Sequence, residues 1–307
     1  MEELFELLRG RSIKRGSLDF DLPEPEVLLD IQGRPEAIIK AERNLSHMII
    51  EEFMIAANEA VGSHIEDLGI PAIYRTHEKP DTTKLEGLKK VFSAFGLQVK
   101  NPGTGTFHKI FKQAKGTAEE FLVNILLLRS LKQARYSTEN IGHFGLALKT
   151  YVHFTSPIRR YPDLVVHRIL KESAGGKGPT AKKQKYLEQL LPDIAINSSR
   201  TERVAEEAER EVIAAMRVWF MKDKVGDDYD GIISDITPYG LKVQLKDFFI
   251  SGFLHVSQMP GDYYKFNEKR YCLVGKHTRR TFTIGEELRV RIERVDIEER
   301  EISLSAV

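Results

Sequence analysis

Between Asn44 and Leu68 apolar residues recur at helical spacing, with Met48, Ile49, Phe53, Ala56, Ala57, Val61 and Ile65 on one side, which predicts a long helix. Upstream lie a short amphipathic segment, Leu4 to Leu8, a basic stretch, Arg9 to Arg15, and an extended run rich in Pro and acids from Leu18 to Asp30. Ile70 to His77 alternates like a strand, and Asp81 to Phe95 repeats Leu85, Leu88, Val91, Phe92 and Phe95 as a second helix stopped by Gly96. Thr117 and Glu120 form a capping-box pattern ahead of Phe121, Leu122, Ile125 and Leu128, a third helix. After the flexible run Ala174 to Pro179 a helical pattern extends from about Ala181 to Lys224, interrupted near Pro192. From Val225 the texture changes. Gly231 to Ile236, Gly240 to Leu245, Gly252 to Val256, Arg280 to Ile284, Glu287 to Val295 and Glu301 to Leu304 are short alternating runs broken by Gly, Pro and Asp, the pattern of a small closed barrel. The expected class is α+β, with domains at 1–224 and 225–307.

Composition narrows the setting. The 307 residues are 41% hydrophobic and 30% charged, as in a globular protein, and no apolar run is long enough to cross a bilayer. Met1-Glu2-Glu3-Leu4 lacks the basic and apolar regions of a secretory signal, and Cys272 is the single cysteine, so a reducing, cytoplasmic location is expected. A formal net charge of +1 means that nucleic-acid binding must come from local clusters.

The densest chemistry lies in His153 to Arg168 (HFTSPIRRYPDLVVHR). With Ser156 as N-cap and Pro157 at the first helical position, Arg159 and Arg160 fall in a first turn whose free amides and guanidinium groups suit phosphate. Ile158, Tyr161, Val165 and Ile169 then share a core-facing side. A capped surface helix with Arg159 paired to Asp163 fits the same spacing. Glu202, Glu206 and Glu209 stand on one face of the long helix, either as acid–base groups or as a solvated face with Glu206 paired to Arg210. Glu51 and Glu52 interrupt the apolar pattern of their helix, where a buried carboxylate needs a partner. Asn101 to Thr106 lacks the Gly-Lys-Ser/Thr of a phosphate loop and reads as a turn, no zinc spacing occurs, and Cys272 reads as barrel core. Tyr239, Lys242 and His255 fall in or beside barrel strands, where rings stack bases, and Lys276, Arg279 and Arg280 add local positive charge.

Together these segments resemble the ribonuclease II/ribonuclease R exoribonucleases. The resemblance rests on His153 to Arg168 with Gly142 to Leu148 before it, on Arg15 to Glu24, on Ile50 to Asn58 and on Ala208-Glu209-Arg210, in that order, and residues 230–304 are similar to the S-one-type OB-fold domain that closes these proteins. The resemblance implies the later part of the mixed helix/sheet RNB catalytic domain followed by a five-stranded OB barrel. It implies that Arg159 holds the scissile phosphodiester, Phe20 clamps terminal bases, Glu51 contacts ribose hydroxyls and Glu209 stands near the active centre. Thr155, Ser156, Arg160 and Tyr161 are expected beside the RNA, and Tyr239, His255, Asp296 and Arg300 match RNA-facing barrel positions. Lys242 replaces a second aromatic common in such barrels, and Glu211 replaces the usual Asp.

The aspartate cluster that holds magnesium in this family is not found in the chain. The expectation is a fragment, or half of a split enzyme, that begins after the metal site, its aspartates supplied by a missing N-terminal segment or partner chain. The intact enzyme is expected to degrade single-stranded RNA from 3′ to 5′ into nucleoside 5′-monophosphates, while this chain binds RNA and hydrolyses little or none. The alternatives are a non-catalytic RNA-binding adaptor derived from the family and an unrelated protein with an OB barrel.

Overall fold

The computed structural model describes residues 1–18, 25–81, 86, 88–89, 92, 104–116, 120–173, 179–248, 250–259, 261–268 and 270–307. Phe20, most of the expected helix over 81–95, the turn at 101–103, Thr117 and the run 174–178 lie outside these residues.

Helix α1 (Glu2–Arg15) takes in the amphipathic and basic stretches together and stops at Gly16, whose positive φ of 91° closes the last turn. β1 (Pro25–Leu29) and β2 (Pro35–Lys40) form an antiparallel hairpin whose turn is held by Asp30 Oδ1, which accepts from the amides of Gln32 and Arg34. Helix α2 (Leu45–Asp67) matches the sequence expectation, with Asn44 as N-cap accepting from His47 N at 3.1 Å. Its most buried residues are Glu52, Asn58, Gly62 and Ile65, so the packed face is partly polar.

β3 (Tyr74–Thr76) pairs antiparallel with β4 (Arg135–Ser137). Between them, α3 (Thr104–Ala114) begins where a turn is expected, and α4 (Glu120–Ser130) follows. Phe107, Ile110 and Ala114 of α3 pack with Val123 and Leu127 of α4 in a small separate core.

Two expectations for the next segment are corrected. Helix α5 (Tyr161–Ser173) begins four residues after Pro157, and Ser156 to Arg160 form a turn with the amides of Arg159 and Arg160 both reaching Ser156 O. Pro162 therefore falls within the first helical turn, where its missing N–H costs nothing. Ile158 belongs to no core: it is 98% exposed at the tip of the turn, while Val165 and Ile169 are buried. Helix α6 (Ala181–Met221) runs 41 residues without interruption although Pro192 lies inside it; burial of Leu191 and Ala195 on either side holds the helix through the one amide that proline cannot donate.

The closed barrel is ordered β11 (Glu287–Asp296), β12 (Glu301–Ala306), β7 (Ser251–His255), β6 (Gly240–Leu245) and β5 (Asp228–Thr237). The expected strand at Arg280 to Ile284 is not a stave of it. β10 (Thr281–Thr283) pairs with β9 (Cys272–Gly275), which pairs with β8 (Tyr264–Asn267) in a three-stranded sheet, and Cys272 is buried there. The barrel core does not stop at its own strands: Val218 and Met221 of α6 and Ile38 of β2 lie in the same apolar cluster as Ile233, Leu241 and Leu304. A second cluster joins Ile65 of α2, Val166 and Ile169 of α5 and Leu191 and Ala195 of α6.

Candidate nucleic-acid interface

The extended segment 151–154 delivers the arginine turn. Asn58 of α2 grips it twice, donating from Nδ2 to Tyr151 Oη at 3.0 Å and accepting from Phe154 N at 3.0 Å. His167 of α5 stacks on Phe154 at 4.1 Å between ring centroids and donates from Nε2 to Phe154 O. Gly62 lets α2 approach, since a Cβ there would meet Thr150 Cγ2 at 3.2 Å. With the entry segment pinned, the turn itself is fixed by Asp163, which is wholly buried and whose Oδ1 accepts from Ser156 N at 2.8 Å and from Arg160 Nη2 at 2.7 Å. The spacing argument thus chose the wrong arginine: Arg160, not Arg159, pairs with Asp163. Asp163 Oδ2 and Arg160 Nε are buried without a hydrogen-bond partner among the described residues.

Arg159 is exposed and forms no ion pair among the described residues. It lines a cleft of about 590 Å³ between the turn and α6, with Arg160, Tyr161, Glu202, Glu206 and Glu209. The structure therefore brings Arg159 and Glu209 to one cavity. Glu202 is not part of a solvated face: it binds Arg75 at 2.5 Å, and Arg75 lies over the Tyr136 ring. Tyr136 Oη shares a 2.9 Å hydrogen bond with His153 Nδ1. Burial, then the Glu202 charge, pushes the Tyr136 hydroxyl up to about 12. Burial, then the Arg160 and Arg75 charges, pushes His153 down to about 2, so the ring beside the arginines is neutral. Thr155 and Ser156 are half-buried at the base of the turn, and Ser156 is spent on shaping it.

Glu51 and Glu52 divide the roles expected of them. Glu52 is the buried one, 5% exposed and bound to Arg9 at 3.0 Å, while the more open Glu51 is bound to Arg43 at 2.8 Å. Neither lines the Arg159 cleft. Among the described residues no three His, Cys, Asp or Glu side chains are grouped to hold a metal ion. Of the three carboxylates that line the cleft, Glu202 is committed to Arg75, and Glu206 and Glu209 are not grouped with a third such ligand.

On the barrel, Lys242 of β6 lies opposite Phe253 of β7, and Gly240 lies opposite His255. All three side chains, with Tyr239 in the β5–β6 turn, are exposed, and the Phe253 and His255 rings are 6.3 Å apart. Gly240 is required here, because a Cβ would sit 2.3 Å from Leu254 O. Phe253 is the residue that sequence reasoning missed, and the alternation of Phe253 and His255 about inward Leu254 is the signal that identifies it. Asp296 closes the β11–β12 turn, accepting from Glu299 N at 3.0 Å and from Arg294, and Arg300 bridges to Glu211 of α6 at 3.3 Å. Arg279 and Arg280 are exposed in the β9–β10 turn, Arg280 lying 4.5 Å above the Phe282 ring.

Comparison with known proteins agrees with this geometry. The RNB domain family matches residues 1–175 and the S1 RNA binding domain family matches residues 222–306. Ribonuclease R of Aquifex aeolicus is 41% identical over all of this chain and 44% of that protein, and ribonuclease R of Escherichia coli is 36% identical over all of this chain and 39% of that protein. The chain thus spans less than half the length of these relatives. Mycoplasma genitalium RNase R in complex with ribose methylated single-stranded RNA superposes with a TM-score of 0.91 at 27% identity, over all of this chain and 48% of that one. No helix among the described residues is long and apolar enough to cross a membrane. The chain belongs to the ribonuclease II/ribonuclease R family of RNB-domain proteins.

Proposed function

We propose that this chain is the RNA-gripping C-terminal part of a ribonuclease R-like exoribonuclease that degrades single-stranded RNA from 3′ to 5′, releasing nucleoside 5′-monophosphates in the cytoplasm. The observation that carries the reading is the division of labour at the turn. Arg160 is locked to buried Asp163, while neighbouring Arg159, with no ion pair among the described residues, lines a cleft shared with Glu209. An arginine carried on a fixed turn and open to a ligand suits a phosphodiester, whose developing charge it stabilises. The barrel face of Tyr239, Lys242, Phe253 and His255 supports the same reading, because rings interleaved with a cation bind a strand through base faces and phosphates. Residues 1–224 then form the later part of the catalytic domain and 225–307 the RNA-binding barrel.

Hydrolysis in this reading uses magnesium held by aspartates outside this chain, on a missing segment or a partner chain. Purified chain mixed with magnesium and a labelled single-stranded RNA is expected to bind the RNA without shortening it. Addition of a polypeptide carrying the aspartate cluster is expected to yield nucleoside 5′-monophosphates. Magnesium-dependent shortening by the chain alone would overturn the proposed dependence on other residues, and failure to bind RNA would overturn the reading as a whole.

A further inference from the structure

Tyr136 of β4 is tied to both sides of the Arg159 cleft. It is 5% exposed and lines the cleft itself. Toward α6, its backbone N donates to Ser199 Oγ at 2.9 Å, and Ser199 is held in turn by donating to Ala195 O, one helical turn earlier, at 2.9 Å. The Tyr136 ring also carries the Arg75 guanidinium, 4.8 Å from its centroid, and Arg75 reaches α6 through Glu202. Toward the arginine turn, the hydroxyl shares a 2.9 Å hydrogen bond with His153 Nδ1, three residues before Ser156.

The other pins on the segment 151–154 run to different elements. Asn58 fixes it to α2, and His167 fixes it to α5, the helix that continues from the turn. The Tyr136 tie runs to α6, which carries Glu202, Glu206 and Glu209 along the cleft. Burial lifts the Tyr136 hydroxyl and lowers the His153 ring, so both groups are neutral. The bond between them carries no net charge for salt to screen.

We propose that Tyr136 is a positioning residue: through His153 on one side and Ser199 on the other it sets the separation between the Arg159 turn and the glutamate face of α6. In this role Tyr136 acts on RNA through Arg159. The role presupposes that Arg159 grips phosphate. A bidentate contact requires its groups to be held within about 0.5 Å, so a wall that loses its tie is felt at the ligand.

Tyr136→Phe keeps the ring under Arg75 and the backbone bond to Ser199 and removes the hydroxyl alone. Fluorescence anisotropy with a single-stranded RNA over a range of KCl is expected to show binding weakened about threefold or more, with the log–log salt slope reduced by up to about 0.7, although the group removed is uncharged. In the Arg159→Ala chain the same change is expected to add no further loss. The His153 Nδ1 resonance in 15N NMR is expected to move, with the circular-dichroism spectrum unchanged. Unaltered RNA affinity and salt slope in Tyr136→Phe, where Arg159→Ala weakens binding, overturn the positioning role and leave the Arg159 reading intact. Losses that add in the double variant, or a His153 resonance that stays in place, overturn it as well. Arg159→Ala without effect on RNA binding overturns both readings.

Discussion

Asp163 accepts from Arg160 at 2.7 Å from a position closed to solvent, and this one contact decides which of two adjacent arginines is available to a ligand. Asp163→Ala strands the Arg160 guanidinium in the interior and releases Ser156 N, so a loss of about 3–5 kcal/mol is expected. Urea denaturation measures it. Asp163→Asn, which keeps an acceptor for Ser156 N, is expected to recover part of that loss.

Arg159→Ala removes a group that holds nothing else in place. Fluorescence anisotropy with single-stranded RNA over a range of KCl is expected to show weaker binding, with the log–log salt slope reduced by about 0.7, the loss of one phosphate contact. The urea midpoint is expected to stay at the wild-type value.

Phe253→Ala is expected to cost about 1–3 kcal/mol of RNA affinity through lost stacking, with the salt slope unchanged. Lys242→Ala is expected to do the reverse, lowering the slope by about 0.7 with a smaller loss of affinity. The same anisotropy series distinguishes the two.

His143 shares the environment of His153. Burial, then the neighbouring His77, pushes it from 6.5 down to about 3. A ring whose folded pKa is depressed stabilises the fold fully above the unfolded value and loses that contribution as pH falls, because the unfolded chain takes up a proton that the folded ring refuses. Stability is therefore expected to decline from pH 6.5 downward, by at most about 1.4 kcal/mol per pH unit for each ring. NMR of the imidazole resonances checks the cause: neither ring titrates between pH 8 and 5.

Much of this was legible because periodicity records burial. The spans of α2 and α6 and most of the barrel strands could be read from their spacing. The arginine turn could not, because Ser-Pro followed by Ile reads as a helix start until a buried Asp163 draws Ser156 and Arg160 around itself. Arg75 with Glu202, and Asn58 with Tyr151, join residues 127 and 93 positions apart, and no local pattern announces them. The side sheet of β8, β9 and β10 was missed for a similar reason. Its strands are three or four residues long, too short for alternation to separate them from the barrel staves.

The apolar cluster that joins Ile38, Val218 and Met221 to the barrel interior has a practical meaning for anyone who recombines these proteins. A cut near Val225 parts the chain but leaves the seam of the core behind, with the barrel's floor still attached to the other piece. Exchanging the barrel for that of a relative requires grafting the β1–β2 hairpin and the last turns of α6 along with it. The barrel is in this sense set by the body beneath it, and the two are inherited together.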